Sequence, residues 1–581
     1  MSAPNPEPAA APAARGRIPW LGWLLAALAL ALATWALFQR ARYGEFLAFD
    51  DDHNITLNPN LGTLGGNMER WAFTDVTYAR RYLPLGWLAF SALVTAAGFN
   101  AAWFHSTGLV LHILNGILLA GLLRHLAGRN EKARGWGTWV VAVPAVWWLW
   151  HPLRVEPVAW ASSLLYIMAT TWMLVAALLF CTGLDRGRAW RWLALVAYGC
   201  SLLTYGIWLG APVALAALAW GQYSRRTPGA ASAWRAVAAT TWPFFLLAAA
   251  ALAINLLARS EAASSWGRPV PLQAAAIGLA VLRSLATLGW FLLKMIWPVR
   301  LTPADDLWAG ATIAPAALVA GLGTLALAAA LAAGLVKRFG LAPLLFLAAF
   351  VVIELPMTGL TETNFLLSDR YTYAGQIVGA AALAAGLARS RARWSLPLLS
   401  VLAGLTLAGA GRAWSQVAVW HDNDALFVHV VATAQHDETR RFYRERWLGI
   451  DLGAGKLKEV EAAMANGGVA ASSQGFRLML NDARRVRTDA ETSGSVTCTV
   501  AVAHHQLGRD AWRRGDLRMA QVHLERAVQL APRDWPAWAD YAALLAGMGH
   551  RTEAARILTI IPVTGPPAAV HRAVEQILRR P

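Results

Sequence analysis

Apolar runs long enough to cross a lipid bilayer recur through most of this chain, and they limit its fold more than any other feature. The runs repeat from Trp20 to about Ala410, and most approach the roughly 17 to 25 residues with which a helix spans about 30 Å of hydrocarbon. Charged residues make up only 15% of the chain, whereas soluble domains average about 25%. The sequence therefore predicts an all-α fold, a polytopic bundle of transmembrane helices.

The order of apolar runs and basic hinges predicts the topology. Two runs, Leu83–Phe99 and Leu272–Trp297, are interpreted as interfacial or re-entrant helices, because two spans there would force the basic hinges between them outside. About eleven spans remain, an odd number, so the C-terminal end is expected outside the cytoplasm. The predicted spans lie at 18–38, 101–123, 136–150, 157–182, 190–204, 206–221, 236–257, 310–336, 340–357, 373–389 and 394–410.

Charge and cysteine content exclude several classes of protein. The net charge of +17 resides in short hinges between apolar runs, which is typical of cytoplasmic membrane loops and not of a nucleic-acid-binding face. The three cysteines predict neither a disulfide framework nor a zinc site. The run that begins at Ile18 lacks a convincing cleavage site, so we interpret it as a retained first span behind a disordered cytoplasmic leader, residues 1–17.

The C-terminal part repeats with a period of about 34 residues, the tetratricopeptide period. We therefore predict a leader (1–17), a transmembrane domain (18–410) with an outer-face loop (40–100), a helical connector (411–500) and a repeat domain (501–581) that offers a surface to a protein partner. The two units place equivalent residues at equal offsets: His504, Leu507, Gly508, Ala511, Ala520, Leu524 and Pro532 in the first, and Trp538, Tyr541, Ala542, Leu545, Ala554, Leu558 and Pro566 in the second.

Three adjacent acids, Asp50, Asp51 and Asp52, follow the first span. Like charges repel, and this repulsion raises the pKa of a carboxyl group toward the working pH of a general base. The triplet therefore suits either a base that deprotonates a hydroxyl at the outer membrane face or a divalent metal site. A solvated acidic loop is the alternative interpretation.

Two further charged clusters are predicted on the same outer face. The first, His151 to Pro157, holds Arg154, a fixed cation that can clamp a phosphate; a local pair with Glu156 in a proline turn is the alternative. The second, Ser368 to Tyr373, combines Asp369 and Arg370 with two tyrosines that can hold a diphosphate or a sugar, although tyrosine at an interface is also typical of the aromatic belt.

Polar residues inside the apolar runs allow more than one interpretation. His105 and His112 share one helix face, where hydrogen bonding in the core or at the headgroups is favoured over metal ligation. Arg283 and Lys294 either snorkel to the interface or bind phosphate. Charged clusters on one side of a bundle suit a lipid phosphate, because cations stabilise a phosphate leaving group while a carboxylate activates the attacking hydroxyl.

These residues resemble the transmembrane and tetratricopeptide-repeat O-mannosyltransferase family, in its bacterial membrane form, within the C-type (GT-C) glycosyltransferases. The resemblance covers most of the chain. The matching segments are Phe49-Asp50-Asp51-Asp52 with Asn58-Pro59, Phe104-His105 with Leu111-His112 and Asn115, His151-Pro152-Leu153-Arg154-Val155-Glu156 with Val158-Ala159-Trp160, Asp369-Arg370-Tyr371-Thr372-Tyr373, and Trp420-x-Asp422.

The resemblance implies inverting transfer of a sugar, often mannose, from a polyprenyl-phosphate carrier to a protein or glycan hydroxyl on the outer face of a bacterial inner membrane. Asp50 or Asp51 would be the catalytic base, with a slight preference for Asp51. No metal ligand is assigned, and a divalent metal ion stays open as a cofactor. The implied substrate-binding residues are Asp52, His105, His151, Arg154, Glu156, Lys294, Asp369, Arg370, Tyr371 and Tyr373.

Two departures from the family's pattern concern the donor and the acceptor. After Trp160 many relatives carry a charged segment, whereas Ser162 to Tyr166 is uncharged here. A cation expected before the sixth span is replaced near Tyr205. Fewer cations near the phosphate imply an altered donor, a different acceptor or lost activity.

Three other functions compete with the glycosyltransferase hypothesis. One is a non-enzymatic membrane scaffold that uses the repeats to assemble envelope proteins. Another is an oligosaccharide polymerase or ligase, which needs much the same phosphate site. A transporter is disfavoured, because the acids and cations gather at one face and none is convincingly placed at the midplane.

Overall fold

The computed structural model shows an all-α chain whose apolar helices form one large core. It describes residues 19–56, 58, 60–62, 64–127, 137–227, 229–261, 270–298, 300–307, 315–362, 366–389, 392–453, 460–462, 464, 498–513, 516–530, 535–561 and 568–579. Within these residues the only extended pairing is an isolated bridge between Asp305 and Leu367. The predicted leader, residues 1–17, and most of the predicted connector beyond residue 464 lie outside the described residues.

The helices follow the predicted apolar runs closely. Seven of the described helices are long and apolar enough to cross a membrane, and the predicted fold class is confirmed. The helices of this part are α1 Pro19–Phe38, α2 Gly66–Thr74, α3 Pro84–Ala97, α4 Ala101–Ala127, α5 Gly137–Trp150, α6 Val155–Ala159, α7 Leu164–Arg186, α8 Arg188–Thr204, α9 Ala211–Arg226, α10 Ala230–Glu261, α11 Ala274–Ile296, α12 Pro315–Gly334, α13 Val336–Phe339, α14 Ala342–Glu354, α15 Thr372–Arg389, α16 Ala392–Gln416, α17 Asn423–Thr433 and α18 Asp437–Gly453.

Proline and glycine set several of the helix limits. Pro84 occupies the first turn of α3, where its missing N–H has no helical partner to lose. Gly98 ends α3 with φ +66° and Gly340 ends α13 with φ +65°, a left-handed conformation that costs glycine little. Prolines inside α5 and α10 remove a backbone hydrogen bond and favour a bend.

Contacts of α3 and α11 bear on the predicted topology. The first half of α3 lies against the end of α8, where a side chain at Gly86 would meet the carbonyl oxygen of Thr204 at 3.0 Å. Its Phe90 ring contacts Phe104, in the first turn of α4, at 5.6 Å between centroids. Because α8 ends and α4 begins at the same end of the bundle, these contacts favour an α3 that stays at that end.

The length and composition of α11 allow it to cross a bilayer. Nevertheless, a residue that precedes α11 and a residue in its last turn both contact the loop between α14 and α15. The backbone N–H of Val270 donates to Thr361 at 3.1 Å, and Lys294 Nζ lies 2.7 Å from Asp369 Oδ1. These contacts favour the interpretation of α11 as a segment that returns to one side, and the exact number of spans stays a prediction.

Helices α17 and α18 pack on the loop that follows α1. The backbone N–H of Ala48 donates to Asn423 Oδ1 at 2.8 Å, and Arg446 Nη2 donates to the carbonyl of Ala48 at 2.9 Å. Phe49 fills the space between these elements, stacking on Tyr443 and meeting Trp420 edge-on. The first residues of the predicted connector therefore belong to the same end of the molecule as the acidic triplet.

The repeat domain consists of paired helices, as predicted. They are α19 Cys498–Arg513, α20 Leu517–Leu530, α21 Trp535–Gly547, α22 Arg551–Leu558 and α23 Ala568–Arg579. Small residues sit where the paired helices approach. Ala511 and Ala520 are buried with Leu524 and Leu544 in one cluster. A side chain at Gly508 would lie 2.6 Å from Leu524 Cγ, so the glycine is required by the packing of α19 on α20. Pro532 and Pro566 of the repeat pattern lie outside the described residues.

Substituting Gly508 by valine should destabilise the first helix pair by about 1–3 kcal/mol, because the added methyl groups have no room against Leu524. Hydrogen-exchange protection of α19 and α20 in the full-length protein measures the effect. Gly547→Val is the matched control, since no atom lies within 4 Å of a side chain built there. Equal losses of protection in both variants would contradict the packing argument.

Candidate functional site

The acidic triplet places its three carboxylates in three different environments. Asp51 is fully buried, and its carboxylate accepts three hydrogen bonds: from the N–H of Leu47 at 2.8 Å, and from the N–H and Oγ of Ser162 at 2.8 and 2.5 Å. The Asp52 carboxylate accepts a hydrogen bond from the backbone N–H of His53 at 2.9 Å, and Asp52 begins a π-helical turn, Asp52–Thr56. Asp51 therefore ties the acidic loop to the loop before α7.

Asp50 is half-buried, and its carboxylate makes no hydrogen bond to any described residue. Burial raises the pKa of Asp50 above its usual value of 3.8, and the nearby cations Arg370, Arg446 and Arg81 oppose that rise. Burial also raises the pKa of Asp51, to about 7, against the effect of its hydrogen bonds. Of the two predicted bases, Asp50 is the one whose carboxylate is open to a further partner.

One carboxylate, that of Glu156 in α6, fixes the segment around Arg370. Glu156 accepts hydrogen bonds from the backbone N–H of Arg370 at 2.9 Å and from the hydroxyl of Ser368 at 2.5 Å. It also forms a salt bridge with the Arg370 guanidinium. All three residues are buried, so Glu156 holds the loop before α15 against α6.

Aromatic rings surround the rest of the Arg370 side chain. Its guanidinium lies over Trp160 at 4.7 Å and over Tyr371 at 4.8 Å from the ring centroids. Its Nε is buried and has no hydrogen-bond partner among the described residues. Arg370 therefore keeps donor capacity beyond its pairing with Glu156.

Lys294 is neutralised by two buried acids. Its Nζ lies 2.7 Å from Asp369 Oδ1 and 3.1 Å from Asp305 Oδ2. The second oxygen of Asp369 accepts from the N–H of Thr302 at 2.8 Å. Lys294 is 3% exposed, so it joins α11 to the loop before α15, and the geometry does not support its predicted contact with a carrier phosphate.

Arg154 lies behind the loop before α15 and is completely buried. Its Nη2 donates to Thr372 Oγ1 at 2.9 Å, and its guanidinium lies 4.9 Å from the Tyr373 ring centroid. Arg154 Nε and Nη1 are buried without a hydrogen-bond partner among the described residues. This geometry does not support the predicted phosphate contact of Arg154, because its guanidinium is covered by the start of α15.

The three predicted histidines and Tyr373 make hydrogen bonds within the protein. His151 accepts from the N–H of Leu153 through Nδ1 at 3.3 Å, so Nε2 carries the proton and donates to Met295 O at 3.0 Å. His105 contacts the carbonyl of Glu45 at 3.4 Å. His112 joins the Tyr373 hydroxyl to α4 at 2.9 Å. Each ring is engaged with protein atoms, in line with the hydrogen-bonding alternative.

Arg81 is a cation that the sequence analysis did not select as a site residue. Its side chain is exposed and its guanidinium lies 5.4 Å from the ring centroid of Tyr205; it makes no hydrogen bond to the described residues. It acts electrostatically on Asp50, Tyr166 and Tyr371. The sequence signal that could have identified it is the adjacent arginine pair, Arg80 and Arg81, in the polar segment that also holds the acidic triplet.

Two tyrosines, Tyr166 and Tyr205, lie in or near the two segments where the resemblance implies cations that this chain lacks. The hydroxyls of Tyr166 and Tyr205 are 3.1 Å apart and their ring centroids 4.4 Å apart. Both lie within electrostatic reach of Arg81. We define the loop cluster as Asp50, Arg81, Tyr166, Tyr205, Arg370 and Tyr371.

The structure brings together the acidic loop and the two other predicted clusters, but not every residue that was predicted to bind substrate. Asp50, Arg370 and Tyr371 meet in the loop cluster, whereas Arg154, Lys294 and Asp369 lie buried behind it. Among the described residues no group of three or more His, Cys, Asp or Glu side chains is arranged to hold a metal ion. The geometry offers an accessible carboxylate beside two cations and several hydroxyls.

Comparisons with known proteins match two parts of this description. Residues 511–577 match the family described as TPR_19, a tetratricopeptide repeat, which confirms the predicted repeats. A stretch of 174 residues, 28% of this chain, is 29% identical to a mouse (Mus musculus) protein named Protein O-mannosyl-transferase TMTC1. That stretch covers 17% of the length of the relative.

One solved structure also aligns with much of the chain. The crystal structure of ArnT from Cupriavidus metallidurans bound to undecaprenyl phosphate aligns with 93% of this chain and 80% of its own, at 14% sequence identity and a TM-score of 0.34. A TM-score of that size is too low to argue from. The repeats and the sequence match confirm the predicted resemblance of this chain to the transmembrane and tetratricopeptide-repeat O-mannosyltransferases.

Proposed function

We propose that this protein is a membrane glycosyltransferase that moves a sugar from a polyprenyl-phosphate carrier to a hydroxyl of a protein or glycan acceptor. The observation that carries the proposal is the loop cluster, in which the open carboxylate of Asp50 lies within electrostatic reach of Arg370 and Arg81. The partial match to a protein named as an O-mannosyl-transferase supports the reaction class.

Within this proposal Asp50 replaces Asp51 as the preferred base. A general base needs a free lone pair within hydrogen-bond reach of the acceptor hydroxyl. Both oxygens of Asp51 are already occupied by Leu47 and Ser162, and the residue is fully buried. Asp51 is better suited to positioning the loop, and its neighbour Asp50 is left to face the acceptor.

The proposed step is a single inverting displacement. The acceptor oxygen attacks the anomeric carbon and forms the new glycosidic bond, while the bond from that carbon to the carrier phosphate oxygen breaks with its electron pair. Asp50 takes the hydroxyl proton. The carrier phosphate leaves with an added negative charge, which neighbouring cations stabilise.

Arg81 and Arg370 are the proposed ligands of the carrier phosphate. Arg81 is exposed and lacks a carboxylate partner at hydrogen-bond distance among the described residues. Arg370 is oriented by Glu156 and by the rings of Trp160 and Tyr371. An arginine held in a fixed plane suits two-point binding of phosphate oxygens.

Tyr166 and Tyr205 are the proposed basis for a donor or acceptor preference that differs from that of the resembling family. Neutral hydroxyls hydrogen-bond to a sugar without adding charge, whereas cations in these segments would add affinity for phosphate.

In the proposed orientation the basic hinges lie in the cytoplasm of a bacterium, and the loop cluster and the repeats face the outside of the inner membrane. The repeats then hold the acceptor or a partner protein.

Asp50→Asn should lower the rate of sugar transfer by about 100-fold or more, because an amide cannot take the hydroxyl proton. The assay uses full-length protein in proteoliposomes, a panel of polyprenyl-phosphate-linked hexoses and acceptor peptides containing serine and threonine.

Asp52→Asn removes the same charge two positions along the chain and is the matched control. The Asp52 carboxylate accepts from the N–H of His53, so we do not retain its implied role in substrate binding and expect the rate to change by less than about threefold. Equal rates for the wild type and Asp50→Asn, with transfer detected, would contradict the assignment of Asp50. Absence of transfer from every donor, together with a partner lost on deletion of residues 501–566, would favour the membrane scaffold. Transfer of whole oligosaccharides would favour a ligase or polymerase.

The pH dependence of transfer should show an acidic limb displaced above the usual pKa of an aspartate. The folded protein holds the pKa of Asp50 above 3.8 through burial, so Asp50 keeps its proton to higher pH than an exposed carboxyl group. As pH falls through the raised pKa, the base becomes protonated and the transfer rate falls about tenfold per pH unit. A rate that is constant down to pH 4 would contradict a titrating base at this position.

Arg81→Ala should weaken binding of the donor by about 10- to 100-fold, the effect of losing one charge-assisted hydrogen bond. The Michaelis constant for the polyprenyl-phosphate donor reports this loss, and Arg81→Lys should recover part of it. Arg80→Ala is the matched control, because Arg80 pairs with Glu362 at 3.7 Å and is not assigned to the phosphate. A larger effect from Arg80 than from Arg81 would overturn the assignment.

A further inference from the structure

A second polar site lies at the opposite end of the bundle from the loop cluster. Helix α7 begins beside Ser162, the partner of Asp51, and its 23 residues extend about 35 Å. Beyond its last residue, Arg186, the chain turns at Gly187 with φ +115° and α8 begins. A cavity of about 300 Å³ opens there between α8 and α10, lined by Arg188, Arg191, Trp192, Thr240, Trp242 and Pro243 among others.

Arg191 supplies unused donors to this cavity. Its Nη1 donates to Thr240 Oγ1 over a long 3.4 Å, and its Nε is buried without a hydrogen-bond partner among the described residues. The Thr240 hydroxyl lies 3.1 Å from the hydroxyl of Tyr223. A buried guanidinium N–H without an acceptor is costly, so an acceptor from outside the protein would satisfy it.

The acid nearest to the cavity in the chain is already engaged. Asp185 Oδ1 accepts from Arg226 Nη2 at 2.9 Å and from Gln222 Nε2 at 2.9 Å. Neither Arg188 nor Arg191 has a salt bridge with a carboxylate among the described residues. The cavity therefore carries two positive charges without a protein counter-ion, which favours an anionic ligand.

The surroundings of the cavity are those of a membrane interface. Trp192 and Trp242 are 47% and 57% exposed, and Leu193 and Val196 continue the exposed surface of α8 at 52% and 65%. Tryptophan is enriched where headgroups meet hydrocarbon. A ligand with a phosphate beside Arg191 would have acyl chains available for contact with these side chains.

We propose that this cavity binds the phosphate-bearing headgroup of an anionic membrane lipid, in the leaflet opposite to the loop cluster. Arg188 and Arg191 bind the phosphate oxygens, Thr240 and the first N–H groups of α8 add hydrogen bonds, and the two tryptophans contact the lipid at the interface. The proposal does not depend on the glycosyltransferase activity. A free phosphate shares this chemistry and is distinguished by experiment.

The test measures the thermal unfolding midpoint of the full-length protein, delipidated in detergent, with added dioleoyl phosphatidylglycerol. A ligand that binds only the folded state raises the midpoint by an amount that grows with the logarithm of the ratio of ligand concentration to dissociation constant. Arg188→Ala and Arg191→Ala should each raise the concentration of phosphatidylglycerol needed for a given shift of the midpoint by about tenfold. Because Arg188 is exposed, its substitution leaves the core intact if that of Arg191 does not.

Arg235→Ala is the matched control: this exposed arginine of α10 lies at the same end of the bundle but does not line the cavity. It should respond to the lipid as the wild type does. Dioleoyl phosphatidylcholine, with the same chains and no net charge, should give no more than a small shift. Equal responses of all three variants to phosphatidylglycerol would overturn the site, and equal protection by inorganic phosphate alone would overturn its assignment to a lipid.

Discussion

The pairing of Glu156 with the segment Ser368–Arg370 is the interaction on which the rest of the proposed site depends. One buried carboxylate receives the hydroxyl of Ser368 and both the backbone and side chain of Arg370. Two charges removed from water are costly unless their geometry and remaining hydrogen bonds compensate. The compensation here comes from one carboxylate that satisfies three donors, so removing Glu156 would leave Arg370 buried and unpaired.

The same loop is held from its other side by Lys294, which joins Asp369 to Asp305. A lysine between two ionised carboxylates leaves one negative charge in the cluster, and each acid has further backbone or side-chain donors. Arg154 supports the loop from beneath through Thr372. Buried charges thus fix the position of Arg370, while Arg81 is exposed and has no carboxylate at hydrogen-bond distance among the described residues. Rigidity of this kind is what a site needs to stabilise developing charge without rearrangement.

Much of the fold could be predicted from the length of the apolar runs, because a helix is one of the few structures that can cross a bilayer. Most helix limits lie within a few residues of the predicted spans, but the predicted span 157–182 is divided between α6 and α7. The repeats were readable because close helix packing requires small residues such as Gly508 at fixed offsets. The two apolar runs that parity assigned to one side, around α3 and α11, have contacts that favour this interpretation. Parity alone did not show how Lys294 in α11 would be neutralised.

The candidate site was less predictable, because adjacent residues in a loop point in different directions. Asp50 and Asp51 are equivalent by sequence, yet only Asp51 meets the donors of Ser162. Arg154 and Arg81 are both arginines in polar segments, and tertiary packing buries the first under Tyr373 and leaves the second exposed. Motif positions identified the loops that meet; which side chain faces outward depends on partners far away in the chain.

The charge arrangement at the two ends of the bundle differs in a way that composition does not reveal. At the loop cluster end, most buried cations have a carboxylate at close range, as Arg370 has Glu156. At the opposite end, Arg188 and Arg191 share a cavity in which the described residues provide no acid. Paired charges preserve a fixed geometry, whereas unpaired cations at an interface attract anions from the surroundings. Arg188 and Arg191 thus contribute to the net charge of +17 at a place away from the proposed chemistry, where we propose that a membrane lipid supplies the balancing charge.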